Sequence, residues 1–184
     1  MQAQTREETH PVQSLILSLL ANHWGVENGA LSVDGHPLPD LIARFGSPLY
    51  VYSAKTMRGQ LKLLRNHVGR DFDVFFSVKA NPNPAVLKVF CNEGAGLEIA
   101  SAGEYVRAVR AGAPADRILF AGPGKTDEEL SYVVDGGIGE IHVESLDEIE
   151  RLSRICDQAK KTVSVAVRVN PDASVQGGAM RMGG

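Results

Sequence analysis

Asp73-Val74-Phe75-Phe76-Ser77-Val78-Lys79-Ala80-Asn81-Pro82-Asn83-Pro84 is the stretch on which the fold turns. Its first six residues make an apolar run of strand length. Its last five are turn formers, ending in Asn83-Pro84, a cap followed by a first-turn proline. Lys79 stands between the two. A charged amine is seldom placed at the end of a core strand without a partner or a task. A desolvated lysine has a lowered pKa, and its neutral amine can attack a carbonyl to form a Schiff base. Taken alone, Lys79 reads as a side chain snorkelling out of a strand end. Its surroundings reverse that reading.

Working outward, one pattern recurs after residue 73. Short, continuous apolar runs at 73–78, 97–100, 117–121, 140–143 and 163–169 read as strands buried on both faces. Helical stretches lie between them, each with a start signal: Asn83-Pro84, Ser101 with Glu104, Thr126 with Glu129, and Ser145 with Glu148. Gly94, Gly112 and Gly136 stand where these helices should end. Met57, Leu61, Leu64 and Val68 share one helix face, and Ile149, Leu152 and Cys156 another. The alternation predicts β/α units around a parallel sheet. Lys79, Ser101, Glu144 and Asn170 all follow strand ends, the edge where barrel enzymes gather their catalytic groups. No Gly-x-Gly-x-x-Gly follows the first strand, which weighs against a dinucleotide fold. The expected class is therefore α/β, a partial (β/α)8 barrel with about five of its eight units. The remaining units would come from sequence beyond the abrupt Gly177–Gly184 end, so the chain is expected to be an N-terminal fragment.

Residues 22–48 read differently. Gly29 to Leu38 is expected to form a hairpin turning at Asp34-Gly35, followed by a short helix from Pro39 to Phe45. Leu49-Tyr50-Val51-Tyr52 reads as a further strand. The expected division is 1–46, an N-terminal helix and β segment that packs with a β-domain, and 47–184, the incomplete barrel.

Composition removes several function classes. At 184 residues with 43% hydrophobic and 22% charged content, the chain can bury a sizeable core as a soluble globular protein. A net charge of -3 and the lack of a basic run argue against a nucleic-acid partner. Leu15 to Ala21 is too short to span a bilayer. It follows Glu7 and Glu8 rather than basic residues, so it reads as an amphipathic helix after Pro11 and not as a signal peptide. Cys91 and Cys156 lack metal-site spacing and read as reduced core thiols of a cytoplasmic protein.

Five ordered motifs carry a family resemblance. Phe76 to Pro84 resembles the cofactor-lysine motif of the fold-type III pyridoxal-phosphate decarboxylases, which include diaminopimelate, ornithine and arginine decarboxylases and have alanine racemase as a relative. Gly94 to Glu104, Phe120 to Thr126, His142-Val143-Glu144-Ser145 and Val167-Arg168-Val169-Asn170-Pro171 resemble the next four strand ends of that family. Val-Lys-Ala-Asn-Pro, Arg-Val-Asn-Pro-Asp and the Met-Arg-Met-Gly-Gly loop point to the diaminopimelate-decarboxylase-like bacterial branch.

The resemblance implies a pyridoxal 5'-phosphate cofactor, with Lys79 as the Schiff-base lysine and Glu98 and Arg168 beside the cofactor. Glu98 stands where the family commonly has Asp. Arg168 could instead form a barrel-lumen salt bridge to Glu98 or Glu144. His142 could face the lumen, and its structural role is the favoured one. Gly122-Pro123-Gly124-Lys125 suggests a phosphate cradle but lacks the full P-loop pattern, so a strand-to-helix turn is the better reading.

The implied activity is decarboxylation of an amino acid, free or carrier-linked, by a homodimeric parent. The chain alone is expected to be inactive, because the family's phosphate-binding, ring-nitrogen and proton-donor groups lie on later strands. An amino-acid racemase on the same barrel and a non-catalytic pyridoxal-phosphate-binding homologue are the alternatives.

Overall fold

The computed structural model describes residues 23–169, which divide into two compact units between Gln60 and Leu61. The expected helix after Pro11, Asn170-Pro171 and the Gly177–Gly184 loop lie outside the described residues.

In the first unit, β1 (Gly25–Glu27), β2 (Ala30–Val33) and β3 (His36–Pro37) form an antiparallel meander, followed by α1 (Leu38–Phe45). Both connections are two-residue turns with positive φ at each position. Asp34 and Gly35 have φ 48° and 81°, as the sequence predicts. Asn28 and Gly29 have φ 51° and 78° and add a second turn of the same kind, so the expected hairpin is three-stranded. Ser53 fixes the start of α2 (Ala54–Val68) on this unit. Its hydroxyl accepts from the Thr56 N–H (3.0 Å) and donates to Asp34 Oδ2 (2.6 Å). The expected strand at 49–52 is absent. These residues are exposed and have no ladder partner among the described residues, and apolar residues alone do not make a strand.

The second unit is a parallel sheet in chain order: β4 (Phe75–Ser77), β5 (Gly96–Ile99), β6 (Ile118–Phe120), β7 (Glu140–Val143) and β8 (Ser164–Val167). The helices α3 (Pro84–Asn92), α4 (Ala102–Arg110), α5 (Asp127–Asp135) and α6 (Leu146–Ala159) connect consecutive strands. This is the expected α/β partial barrel.

The predicted caps form. Asn83 Oδ1 accepts from the Ala85 N–H with Pro84 in the first turn, and Ser101, Thr126 and Ser145 each accept from the N–H of the glutamate three residues on. Gly94 and Gly112 take positive φ after their helices. After α5 it is Gly137 rather than Gly136 that does so.

One face of the sheet is buried by the helices. Leu97, Ile99, Ile118, Phe120, Ile141 and Val143 pack there against Leu87, Tyr105, Leu130, Val133 and Leu152, with Phe76 and both cysteines at the margin. Burial pushes both thiols up from their ordinary pKa. The opposite, inner face is not buried as the continuous apolar runs suggested. Ser77, Glu98, Leu119, Glu140 and His142 are only half-buried, because nothing among the described residues closes over them. On α6 the buried stripe is Glu148, Leu152 and Ile155, one position rotated from the expected face, and Ile149 is exposed. Leu64 of α2 is likewise exposed while Leu61 is buried.

Gly139 precedes β7 where the chain passes against the 3-10 turn Ala115–Arg117. Its N–H donates to the carbonyls of Ala115 (3.0 Å) and Ile118 (3.1 Å). A Cβ there would press on the Asp116 carbonyl oxygen, which no side-chain rotation can relieve, whereas a Cβ on Gly124 meets open space. Gly139→Ala is expected to cost about 1–3 kcal/mol in urea unfolding and Gly124→Ala to stay within about 0.5 kcal/mol.

Candidate active site

The C-terminal edge of the sheet begins at Val78. This residue is fully buried and anchors the 3-10 turn Val78–Ala80, closed by the Asn81 N–H on the Val78 carbonyl (3.1 Å). Asn81 Oδ1 then accepts from the Asn83 N–H (3.1 Å), and Asn83 caps α3. Beneath the turn, Phe76 stacks on Phe90 at 4.0 Å between ring centroids. Lys79 is thus carried on a short, over-determined turn between a buried anchor and a helix cap. It sits two residues past the strand proper and is exposed, not buried as its place after an apolar run suggested.

Glu98 lies on the inner face of β5, in register with Ser77 on β4 and Leu119 on β6. Among the described residues, neither the Lys79 amine nor the Glu98 carboxylate has a hydrogen-bond or ion-pair partner. Beside them the Ser77 Oγ is buried and equally unpaired, an exception to the rule that buried polar atoms are satisfied.

Arg168 follows β8 at the other side of the sheet, four strands from β4. Its N–H donates to the Val143 carbonyl (2.9 Å), and its Nη1 lies 3.2 Å from Glu144 Oε1. Of the two lumen partners that the sequence left open, Glu144 is the one engaged. His142 does face the inner side, where its Nε2 is 2.9 Å from Glu140 Oε1.

The Gly122–Lys125 segment is a turn that holds itself together. The Lys125 ammonium, 1% exposed, donates to the carbonyls of Gly122 (2.7 Å) and His142 (2.6 Å) and to Glu148 Oε1 (2.7 Å). All three donors point inward, so this lysine is not offered to a phosphate. The second Glu148 oxygen takes the Glu144 N–H (2.9 Å). Arg151 closes the outside of the same turn, bonding Asp127 Oδ1 and the Lys125 carbonyl (2.7 Å). The sequence marked Glu148 only as a capping residue. A lysine directly after Gly-Pro-Gly, one helix before a glutamate at N3, was the available signal.

The three N3 glutamates differ in what they reach. Glu129 closes a full capping box on Thr126 and also takes the Ala102 N–H (2.9 Å). Glu104 and Glu148 reach past their own caps to the N–H of Ala100 and Glu144. Glu104 and Glu148 thus tie the ends of β5 and β7 to the helices that follow them, and Glu129 ties α5 to the start of α4.

A family model described as the pyridoxal-dependent decarboxylase, pyridoxal binding domain matches residues 54–184. The chain belongs to this family. A diaminopimelate decarboxylase of Zymomonas mobilis is 42% identical over 81% of the chain and 36% of its own length. An L-glutamyl-[BtrI acyl-carrier protein] decarboxylase of Niallia circulans is 36% identical over 84% of the chain, again covering 36% of the relative. Among solved structures, a diaminopimelate decarboxylase from M. jannaschii superposes at TM-score 0.75 and 28% identity, over 85% of this chain and 38% of that one. The chain therefore spans little more than a third of the relatives it matches.

The family's cofactor is pyridoxal phosphate, and the residues present fit part of it. An exposed primary amine on the turn after β4 and, on β4 and β5, an unpaired buried hydroxyl and an unpaired carboxylate lie together at the C-terminal edge of the sheet, which suits an aldehyde-bearing polar ring. The Gly122–Lys125 turn engages its own cation internally. Among the described residues no helix is long and apolar enough to cross a membrane.

Because the Lys125–Glu148 pair is buried, removing one partner strands the other charge. Glu148→Gln is expected to lower stability by about 3–5 kcal/mol in urea unfolding. The double change Lys125→Met with Glu148→Leu should recover much of that loss, though not the bond to the Glu144 N–H.

Proposed function

We propose that this chain is the cofactor-lysine portion of a pyridoxal-phosphate-dependent amino-acid decarboxylase, diaminopimelate-decarboxylase-like, in which Lys79 carries the cofactor. The observation that carries the proposal is the placement of Lys79. It is an exposed amine on a turn locked by Val78 and Asn81–Asn83, at the C-terminal edge of a parallel sheet, in a chain of this family. When bound, pyridoxal phosphate supplies an electron sink for the bond broken at the substrate α-carbon.

The chain's own residues do the rest. Lys79 would hold the cofactor through its exposed primary amine. Glu98, unpaired on the neighbouring strand, is available to hold a proton or accept a hydrogen bond on the inner face. Arg168, tied to Glu144, offers positive charge near an anionic ligand. The substrate is a small amino acid. The relatives named for diaminopimelate, and the M. jannaschii structure in complex with L-lysine, favour a diamino acid. The Niallia circulans relative keeps a carrier-linked glutamyl group as the second reading. The working organisation is 1–46 as the segment that joins a β-domain and 47–184 as barrel, in a homodimeric, cytoplasmic parent. The 184 residues by themselves are proposed to be inactive.

The test is to incubate the purified chain with pyridoxal phosphate, reduce it with borohydride and map the labelled peptides. Label concentrated on Lys79, and lost in Lys79→Ala, is the expected result. Label spread evenly over the surface lysines would remove Lys79 from the role, and turnover of any amino acid by this chain would refute its inactivity.

A further inference from the structure

We propose that Glu144 is a positioning residue for Arg168, acting from a backbone that the buried Lys125–Glu148 pair holds in place. This rests on the reading of Arg168 as a cofactor-site residue. Arg168 leaves the end of β8, where the ladder stops, and its long side chain has many rotamers to choose from. The 3.2 Å approach of its Nη1 to Glu144 Oε1 selects among them. The Glu144 side chain is only 18% exposed, so the contact is less screened than a pair on an open surface.

What distinguishes Glu144 is how firmly its peptide is held. The His142 carbonyl takes the Lys125 ammonium, the Val143 carbonyl takes the Arg168 N–H, and the Glu144 N–H goes to Glu148. Three consecutive residues therefore have a backbone polar group fixed, and the third carries the carboxylate.

The strand end of β5 provides an internal comparison. There Ala100 occupies the place of Glu144, Ser101 that of Ser145, and Glu104 that of Glu148, and the Ala100 N–H is bonded to Glu104 at 2.7 Å. The same cap forms with an alanine at the preceding position. The Glu144 carboxylate is therefore not needed for the cap, and its structural use is the contact with Arg168.

Two readouts on the full chain test this. The first needs no cofactor: nitrogen-15 NMR of the Arg168 guanidinium, assigned with Arg168→Lys. Separate Nη signals, showing hindered rotation, are expected in the native protein. Their separation should shrink in Glu144→Ala and less so in Glu144→Gln, which keeps an acceptor without the charge, and an unchanged separation in Glu144→Ala would overturn the proposal. Both variants retain the Glu144 N–H and hence the cap. Merged signals in the native protein would overturn the proposal.

The second readout is pyridoxal phosphate binding followed by absorbance. Glu144→Ala should weaken it about tenfold, the lower end of what the outer partners of ligating side chains contribute at metal sites. The loss should vanish when Arg168→Lys is already present. An equal loss in both backgrounds would mean that Glu144 acts independently of Arg168 and would overturn the proposal. If the native chain binds no pyridoxal phosphate yet keeps distinct Nη signals, the cofactor-site reading fails while the positioning role stands.

Discussion

The buried contact between Lys125 and Glu148 is the constraint on which the C-terminal edge of this parallel sheet depends. It joins three things that the chain order keeps apart: the turn after β6, the last residues of β7 and the first turn of α6. An ammonium and a carboxylate withdrawn from water stabilise only when their remaining donors and acceptors are met. Here they are. The ammonium satisfies two backbone carbonyls as well as its partner, and the carboxylate uses its second oxygen on the Glu144 amide. Such a pair favours one geometry strongly and tolerates few neighbours of it, so its value lies as much in specifying the loop as in stabilising it.

Around that contact the sheet separates two kinds of work. The helix-facing side is apolar, closely filled and indifferent to chemistry. The inner side carries Ser77, Glu98, Glu140 and His142, with Lys79, Glu144 and Arg168 at its rim. Strand periodicity makes this division possible, since neighbours along a strand point to opposite faces. Glu98 can therefore sit between Leu97 and Ile99, both buried, and still face the inner side.

Much of this was legible in the sequence because its signals are local. The capping pairs Ser101/Glu104, Thr126/Glu129 and Ser145/Glu148, the Asn83-Pro84 start and the Asp34-Gly35 turn each depend on residues a few positions apart, and all of them form. What failed depends on the surroundings. Leu49–Tyr52 has strand composition but no neighbour to pair with among the described residues, and Lys79 follows an apolar run yet lies exposed on a turn. The apolar runs predicted burial on both faces, but burial of the inner face is a property of a closed ring of strands and not of one strand's composition. The Lys125–Glu148 pair spans 23 positions, and no periodicity or propensity announces it. Arg168 had two acidic candidates within reach by sequence, and only the register of β7 against β8 selects Glu144.

The order of strands in the sheet is also the order in the chain, β4 through β8 without a crossover past a neighbour. Each new strand closes only the short loop through its own helix, so the entropy of bringing partners together stays small at every step. Such a sheet can be laid down unit by unit as the polypeptide emerges from the ribosome, each β/α unit using its predecessor as template. The same geometry keeps a growing front of unpaired strand. Among the described residues that front is β8, with Val165 and Val167 exposed, and until another strand covers it, it is the place where two nascent chains would stick together.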